Sequence, residues 1–344
     1  MTNGGAGGVL VHSEQNLSQL RRYQARLDSG WSFSPSDAGE MVGIIDSALA
    51  VPAPDGSPAS ITDAATAYNK ASSAYTAFGT SVHSAVSKIA ELWTGTRAHA
   101  VTSAFSALLT ASQEEANGLS LVGSALQLWG VALRDAQEQD SRGRSDLKLA
   151  REAIGPFTGT AGDILGVFET VLTGGADAAL FEGAMVEARN GIAWMVSAAN
   201  IALTIGDDVV STLTQVASQG GSSLTAMSKA AQAAGQAHDT TGFSVDGRQA
   251  QQAISLLQSA GDRLTAGLSG TEVTSAASVF GSDVAGYWSA FSSRDLSARK
   301  TIDTTYTELE NITQNDISSY VRADQTVAGK AATIGVVSRA LNPP

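Results

Sequence analysis

The placement of proline limits the folds open to this chain more than any other feature does. The sequence contains seven prolines, at Pro35, Pro52, Pro54, Pro58, Pro156, Pro343 and Pro344. None lies between residues 59 and 155 or between residues 157 and 342. Because a proline inside a helix removes a hydrogen bond and costs about 3 kcal/mol, both proline-free stretches are able to form long helices.

Apolar residues in these stretches recur at the three- to four-residue spacing of an α-helix. The stripes are Val82, Val86, Ile89 and Trp93; Val101, Phe105, Leu108, Val122, Leu126, Trp129 and Leu133; Ile254, Leu257, Leu264 and Leu268; and Ile302, Tyr306, Leu309, Thr313, Ile317, Tyr320, Ala323 and Val327. No run alternates polar and apolar residues as a half-buried strand does. The sequence therefore predicts an all-α protein, which we expect to be an elongated helical bundle.

The chain divides into four predicted segments. They are an N-terminal segment with short helices at 1–50, a first long antiparallel helical hairpin at 61–142, a Gly/Ala-rich helical insert at 153–237, and a second long hairpin at 248–335. The expected helices in the N-terminal segment and the hairpins are 13–28, 36–50, 61–92, 96–140, 248–278 and 283–330, with linkers at 51–60 and 238–246. Ser34, followed by Pro35 and Asp37, predicts a capped helix start.

Charge and composition exclude several classes of function. Lys and Arg total 21 and Asp and Glu total 33, which gives a net charge of −12. Nucleic-acid binding needs a basic surface, so we expect no nucleic-acid partner. An acidic chain is repelled by anionic headgroups, so membrane binding stays open but is not favoured. The chain has no cysteine, which rules out disulfides, thiolate metal sites and cysteine nucleophiles.

No motif in the sequence points to catalysis. The histidines are dispersed, and phosphate-binding, dinucleotide-binding, zinc-protease and serine-hydrolase motifs are absent; the four histidines are His12, His83, His99 and His238. We therefore expect no enzyme activity, no cofactor or metal and no small-molecule substrate. The first residues lack the basic start and apolar stretch of a cleavable signal peptide.

The turn of the first hairpin contains Trp93 and Gly95 in a W-x-G pattern. Gly95 is suited to the left-handed conformation that ends a helix, and Thr96 is suited to capping the next helix. Trp93 closes an apolar stripe, and its indole N–H needs a partner, so we expect the side chain to be partly exposed or docked onto another surface.

A second pattern, Tyr-x-x-x-Asp/Glu, occurs twice near the C-terminus. Tyr320 and Asp324 form one match, and Tyr306 and Glu310 form another. The helix from Gly95 to Leu133 would be about 57 Å long, and the helix from a turn at 280–283 to Tyr320 would be about as long. If the hairpins pack antiparallel, Trp93 therefore lies at the same end as Tyr320 and Asp324. We expect Asp324 to be exposed and neither motif to be needed for folding.

Together these motifs resemble the WXG superfamily of type VII (ESX-type) secretion substrates. The resemblance implies that Trp93, Gly95, Tyr320 and Asp324 form a composite export signal for a secretion ATPase, with Tyr306 and Glu310 as a second candidate signal. It also implies an actinobacterial protein that folds in the cytoplasm and is exported to the cell surface or beyond as a virulence or interbacterial effector. Two hairpins joined in one chain are similar to fused forms like the PE/PPE proteins. The second hairpin lacks a clear W-x-G, and the insert has no counterpart in the family.

The insert supports an alternative hypothesis, an extracellular structural or pore-forming helical protein that assembles into homo-oligomers. Its apolar residues include Ile164, Leu165, Val167, Phe168, Val171 and Leu172, followed by a stretch with few charges from Leu180 to Leu203. A buried helix pair in a larger bundle would have the same composition. Since Glu169, Asp177 and Glu182 interrupt the apolar run, we expect residues 164–205 to pack against the hairpins rather than insert into a bilayer.

Overall fold

The computed structural model describes residues 10–31, 34–158, 176–238, 247–268, 271, 273 and 275–341. Within these ranges the chain is helical and has no β-strand, which confirms the all-α prediction. The α-helices are α1 (Val11–Asp28), α2 (Pro35–Leu49), α3 (Pro58–Leu92), α4 (Thr96–Ile154), α5 (Ala176–Ser218), α6 (Gly221–Gln236), α7 (Gly247–Gly267), α8 (Ala276–Phe280) and α9 (Ser282–Leu341). A 3₁₀ turn, Gly155–Thr158, follows α4.

The starts of α2 and α3 follow from their local sequence. The Ser34 hydroxyl accepts a hydrogen bond from the Asp37 amide at 3.1 Å, and Pro35 stands at the first position of α2, as predicted. The helix α3 begins at Pro58, three residues earlier than expected, because proline is well tolerated at the first helical position. The predicted linker from 51 to 60 is therefore shorter, and α4 continues to Ile154, just before Gly155 and Pro156.

The start of α1 is capped by a residue distant in sequence. Asp283, in the first turn of α9, accepts hydrogen bonds from the Ser13 amide at 2.9 Å and the His12 amide at 3.2 Å. The Asp55 carboxylate in turn accepts a hydrogen bond from the Ser282 amide at 2.9 Å, at the start of α9. Two carboxylates therefore satisfy amides that a helix N-terminus leaves without intrahelical partners.

The expectation of one continuous helix over 248–278 is wrong. The helix α7 ends at Gly267, and the described residues Thr271, Val273 and Ser275 before the short α8 are not helical. Thr271 lies between them and is buried: its carbonyl accepts a hydrogen bond from the Tyr68 hydroxyl at 3.3 Å, and its hydroxyl accepts one from Arg299 at 2.6 Å. These contacts hold the segment in a non-helical path.

The chain forms two compact units, and each draws on three separate stretches. Unit 1 comprises Met1–Ala65, Ser124–Leu213 and Val273–Ser289, and unit 2 comprises Thr66–Gly123, Thr214–Glu272 and Ala290–Pro344. The segments set out from the sequence are contiguous, whereas these units are not. Helices α3, α4 and α9 each contribute residues to both units.

The core of unit 1 is built from small and aliphatic side chains of α1, α2, α4 and α5. It contains Leu17, Leu20, Leu27, Met41, Ile45, Leu147, Ile154, Phe181, Ala184, Ala188, Ile192 and Met195. A Cβ added at Gly143 would lie 2.4 Å from the Gly191 carbonyl oxygen, so α4 and α5 approach each other closely there. The expected packing of the insert is thus present over its described part, and residues 164–172 lie outside the described residues.

Unit 2 is held together by large aromatic side chains. The rings of Tyr68 and Phe291 have centroids 5.6 Å apart, and Phe78 meets Tyr306 edge-on at 5.1 Å. Both pairs join α3 to α9, and the residue numbers rise together along the two helices, so these helices run parallel. The Ser72 hydroxyl donates to the Ala116 carbonyl at 2.8 Å, which joins α3 to α4 in the antiparallel sense.

Candidate functional site at the turn between α3 and α4

Gly95 creates the turn that joins α3 to α4. The Trp93 amide still donates to the Ile89 carbonyl at 2.8 Å, and the His99 amide donates to the Gly95 carbonyl at 3.1 Å. Gly95 has φ +130°, a backbone conformation that side-chain-bearing residues rarely adopt. The predicted positive φ is confirmed. Gly95 itself occupies the N-cap position, and Thr96, which we expected to cap α4, is the first helical residue.

Trp93 is fully buried, with 1% of its surface exposed, so of the two expected states, partly exposed or docked, the structure shows the docked one. The apolar stripe of α3 continues through Val82 and Ile89 directly into Trp93, and all three are buried. The Tyr320 ring packs against the indole with ring centroids 6.1 Å apart and planes inclined by 53°. Among the described residues, the buried indole N–H has no hydrogen-bond acceptor.

Tyr320 marks the point at which the stripe of α9 reaches the surface. Ile317 is buried and Tyr320 is half-buried, whereas Ala323 and Val327 are exposed. The expected proximity of Trp93 to Tyr320 is present. Asp324 lies one helical turn beyond Tyr320 on α9, but its side chain is outside the described residues, so its exposure stays a prediction.

The second match to the motif lies in the core of unit 2. Tyr306 is 4% exposed, and its hydroxyl donates to the Leu257 carbonyl of α7. Burial raises the pKa of its hydroxyl, and the nearby Glu310 carboxylate raises it further. A Cβ added at Gly261 would lie 2.8 Å from the Tyr306 ring, so this glycine makes room for the side chain. These contacts favour a packing role for Tyr306.

Arg97 connects three helices near the turn. The sequence alone did not identify it as a site residue. Its guanidinium forms an ion pair with Asp316 of α9 and donates to the carbonyl of Ala237, the residue that caps the C-terminus of α6. The side chains of Arg97 and Asp316 are 15% and 16% exposed. The position of Arg97 in the sequence does carry a signal. The positive end of the helix dipole disfavours a cation in the first turn of a helix, so an arginine there indicates a partner outside the helix.

A buried ionic cluster lies further along the same helices of unit 2. Glu115 and Asp295 are 2% and 3% exposed. Arg294 donates to Glu115 at 2.5 Å, and Arg299 donates to Asp295 at 2.7 Å. Burial raises the pKa of Glu115 to about 7; Arg294 opposes this rise, and Asp295 adds to it. Sequence analysis missed the cluster, although Glu115 lies on the same face of α4 as Leu108.

Within the described residues, no group of three or more His, Asp or Glu side chains could hold a metal ion. The stretch Thr96–Thr158 contains one window long and apolar enough to cross a membrane, and half of that window is buried in the protein. His83 and His99 are exposed on helix surfaces, and the His12 ring lies 2.8 Å from Asp283.

The chain was compared with protein families, with curated proteins and with solved structures. No family matches it, and no match was found among the curated proteins or the solved structures.

Proposed function

We propose that this chain is a non-enzymatic substrate of a type VII secretion system. The observation that carries the proposal is the ring contact between Trp93 and Tyr320. It joins the W-x-G turn to the helix that bears Tyr-x-x-x-Asp, two motifs that are 227 residues apart in the sequence (Trp93 to Tyr320). In the resembled family, these two motifs come from two partner chains.

The burial of Trp93 assigns different roles to the signal residues. Trp93 does not present its ring to a partner; it supports Tyr320 from beneath, because it is buried while Tyr320 is half-exposed. Gly95 provides the positive φ that lets α4 start directly after Trp93. Tyr320 and Asp324 are four residues apart on one helix, so the two positions share one face of α9. Tyr320 and Asp324 are thus the residues that the secretion ATPase contacts.

The proposal is tested by export from a host that carries a type VII secretion apparatus. We expect Tyr320→Ala and Asp324→Ala to stop export while the folded protein accumulates in the cells. Tyr287→Ala is the matched control for the tyrosine, because Tyr287 is a half-buried tyrosine on α9 that is followed four residues later by Phe291 instead of an acid. Asp303→Ala is the control for the aspartate, since Asp303 is exposed on the same helix.

Trp93→Phe is the suitable variant at the turn. A buried tryptophan cannot be truncated to alanine without a large loss of stability, so loss of export by Trp93→Ala would not separate recognition from folding. Circular dichroism of each purified variant should show unchanged helix content. Normal export of both Tyr320→Ala and Asp324→Ala would refute the proposed signal.

A further inference from the structure

We infer that Arg97 is a positioning residue for the proposed export signal: its ion pair with Asp316 fixes the rotation of α9 at Tyr320 and Asp324. The inference deepens the proposed function and rests on it for its biological meaning. Its structural part, the ordering of α9 by Arg97, concerns contacts within unit 2 and is measured independently of export.

The local sequence does not explain a buried arginine at this place. Arg97 is the second residue of α4, where the positive end of the helix dipole disfavours a cation. Its side chain is also largely removed from water, which disfavours a charge that is not paired. The position is therefore stabilised by partners outside its own helix.

Those partners match the geometry of a guanidinium group. Asp316 supplies a carboxylate, and Ala237 supplies a carbonyl at the C-terminus of α6, where the helix leaves its last carbonyls without partners. The negative end of the α6 dipole also favours a cation there. Arginine is suited to both contacts because the N–H groups of its planar guanidinium donate in two fixed directions at once. The compact ammonium group of a lysine lacks this geometry.

Two contacts join the turn between α3 and α4 to α9. Trp93 contacts Tyr320, and Arg97 contacts Asp316. Asp316 and Tyr320 are four residues apart on α9, so the two contacts are separated by about one helical turn of α9. An aromatic contact limits the distance between two helices but tolerates rotation, whereas an ion pair to a defined carboxylate fixes the rotation of the helix that carries it.

This rotation matters because the apolar stripe of α9 is no longer buried beyond these two contacts. Ile317 is the last buried residue of the stripe, and Ala323 and Val327 are exposed. Asp316, Tyr320 and Asp324 recur at a spacing of four residues, so the turn of α9 held by Arg97 sets the direction of the two turns that follow. Without the ion pair, the proposed signal residues would rotate about the helix axis and fray more readily.

Hydrogen exchange measured by mass spectrometry tests the inference on the full chain. In Arg97→Met, we expect amides of the peptide that contains Tyr320 and Asp324 to exchange about tenfold faster, as loss of charge-assisted contacts to one segment implies. The matched control is Arg151→Met, which removes the same charge and an arginine–aspartate pair, but one that is half-exposed and formed with Asp46 in unit 1. That control should leave the peptide around Tyr320 unchanged.

Two further variants separate positioning from a general loss of stability. Arg97→Lys keeps the charge without the guanidinium geometry and should give an intermediate exchange rate. The double variant Arg97→Asp with Asp316→Arg restores the pair between α4 and α9 but not the bond to Ala237, so it should recover protection at Tyr320 while residues near the end of α6 stay less protected. If Arg97→Met does not fold, these two variants make the same comparison.

Export of the same variants connects the ordering to function. Arg97→Met should lower export by about tenfold, in proportion to the loss of order at Tyr320, and the double variant should recover it. Unchanged exchange at Tyr320 in Arg97→Met would overturn the inference whatever happens to export. Faster exchange with normal export would also overturn the positioning role. Normal export of Tyr320→Ala and Asp324→Ala would refute the proposed signal, while the exchange data still decide whether Arg97 orders α9.

Discussion

In unit 1, the buried Asp140 pairs with one arginine, Arg144. In unit 2, by contrast, two acids, Glu115 and Asp295, are buried near each other, and each pairs with an arginine. Arg144 donates to Asp140 at 2.6 Å, and its remaining nitrogens donate to the carbonyls of Leu49 at 2.7 Å and Val51 at 2.5 Å. Among the described residues of unit 1, Asp140 is the only buried acid. Burial raises the pKa of Glu115 to about 7; Arg294 opposes this rise, and the neighbouring Asp295 adds to it. At Glu115 the effect of burial on the pKa is thus larger than the opposing effect of the paired arginine.

The two units also fill their cores differently. Unit 1 lets α4 and α5 approach at Gly143 and Gly191, where neither backbone leaves room for a side chain. Unit 2 places aromatic rings between α3 and α9 instead. Unit 1 should therefore be sensitive to atoms added at Gly143, and unit 2 to the removal of these aromatic side chains.

The largest effect is expected from removing the buried indole in unit 2. Trp93→Ala should lower the free energy of unfolding by about 3–5 kcal/mol, because it leaves a large cavity beneath Tyr320. Urea unfolding followed by circular dichroism measures the change. The control is Trp31→Ala in unit 1, where the side chain is only half-buried and a smaller loss is expected. A change below about 1 kcal/mol at Trp93 would contradict the burial described here.

The raised pKa of Glu115 predicts that mild acid stabilises unit 2. Because the pKa of Glu115 is raised in the folded state, the folded protein binds this proton more tightly than the unfolded chain does. Stability from this group is complete below the ordinary glutamate pKa and is lost as the pH rises to about 7, by on the order of 3 kcal/mol. Glu115→Gln should remove this part of the pH dependence, whereas Glu114→Gln, at an exposed neighbour, should retain it. If the free energies of unfolding of the wild type and of Glu115→Gln change in parallel with pH, Glu115 has an ordinary pKa.

A pair of glycine substitutions tests the packing of unit 1. Gly143→Ala should destabilise the protein by about 1–3 kcal/mol, since the new methyl group would meet the Gly191 carbonyl. Gly183→Ala should instead stabilise it by about 0.5–1 kcal/mol, because this exposed helical glycine has open space around it and alanine is the better helix former. Equal effects from the two variants, measured by thermal unfolding, would mean that the helices are not in close contact at Gly143.

The smallest change in the free energy of unfolding is expected from removing the Asp283 cap of α1. Burial raises the pKa of Asp283, but hydrogen bonds from His12 and Ser13 outweigh this effect and lower it. The stability that Asp283 provides is therefore present above the ordinary aspartate pKa and is lost in acid, the opposite of Glu115. Asp283→Asn should cost about 1 kcal/mol at neutral pH. Hydrogen exchange of the first turn of α1 reports the loss; unchanged exchange there at pH 7 would rule out the cap.

The sequence predicted the features that depend on neighbouring residues. Proline-free length and apolar spacing identified α3 and most of α4, and Ser34 and Pro35 located the start of α2. Gly95 was identified because a helix end followed at once by a helix start requires a residue that accepts positive φ. Each of these is decided within about one helical turn.

Features decided by distant residues were predicted less well. The burial of Trp93 depends on Tyr320, and the break after Gly267 depends on Tyr68 and Arg299 reaching Thr271. The pairing of Arg97 with Asp316 was also not foreseen, because nothing within either helix identifies the partner. The distance argument did bring Trp93 near Tyr320, because helix length is one of the few long-range quantities that a sequence provides.

The cap of α1 has a consequence for the order of events during synthesis. The acceptor, Asp283, is made 270 residues after Ser13, whose amide donates to it. At about 5–20 residues per second, a ribosome needs roughly 15–55 s to add them. For that period the first turn of α1 lacks the Asp283 cap, so this corner of unit 1 is completed only after residue 283 has been made. A chain truncated before residue 283 should therefore carry an N-terminal helix with a frayed first turn, however long the rest of it has had to fold.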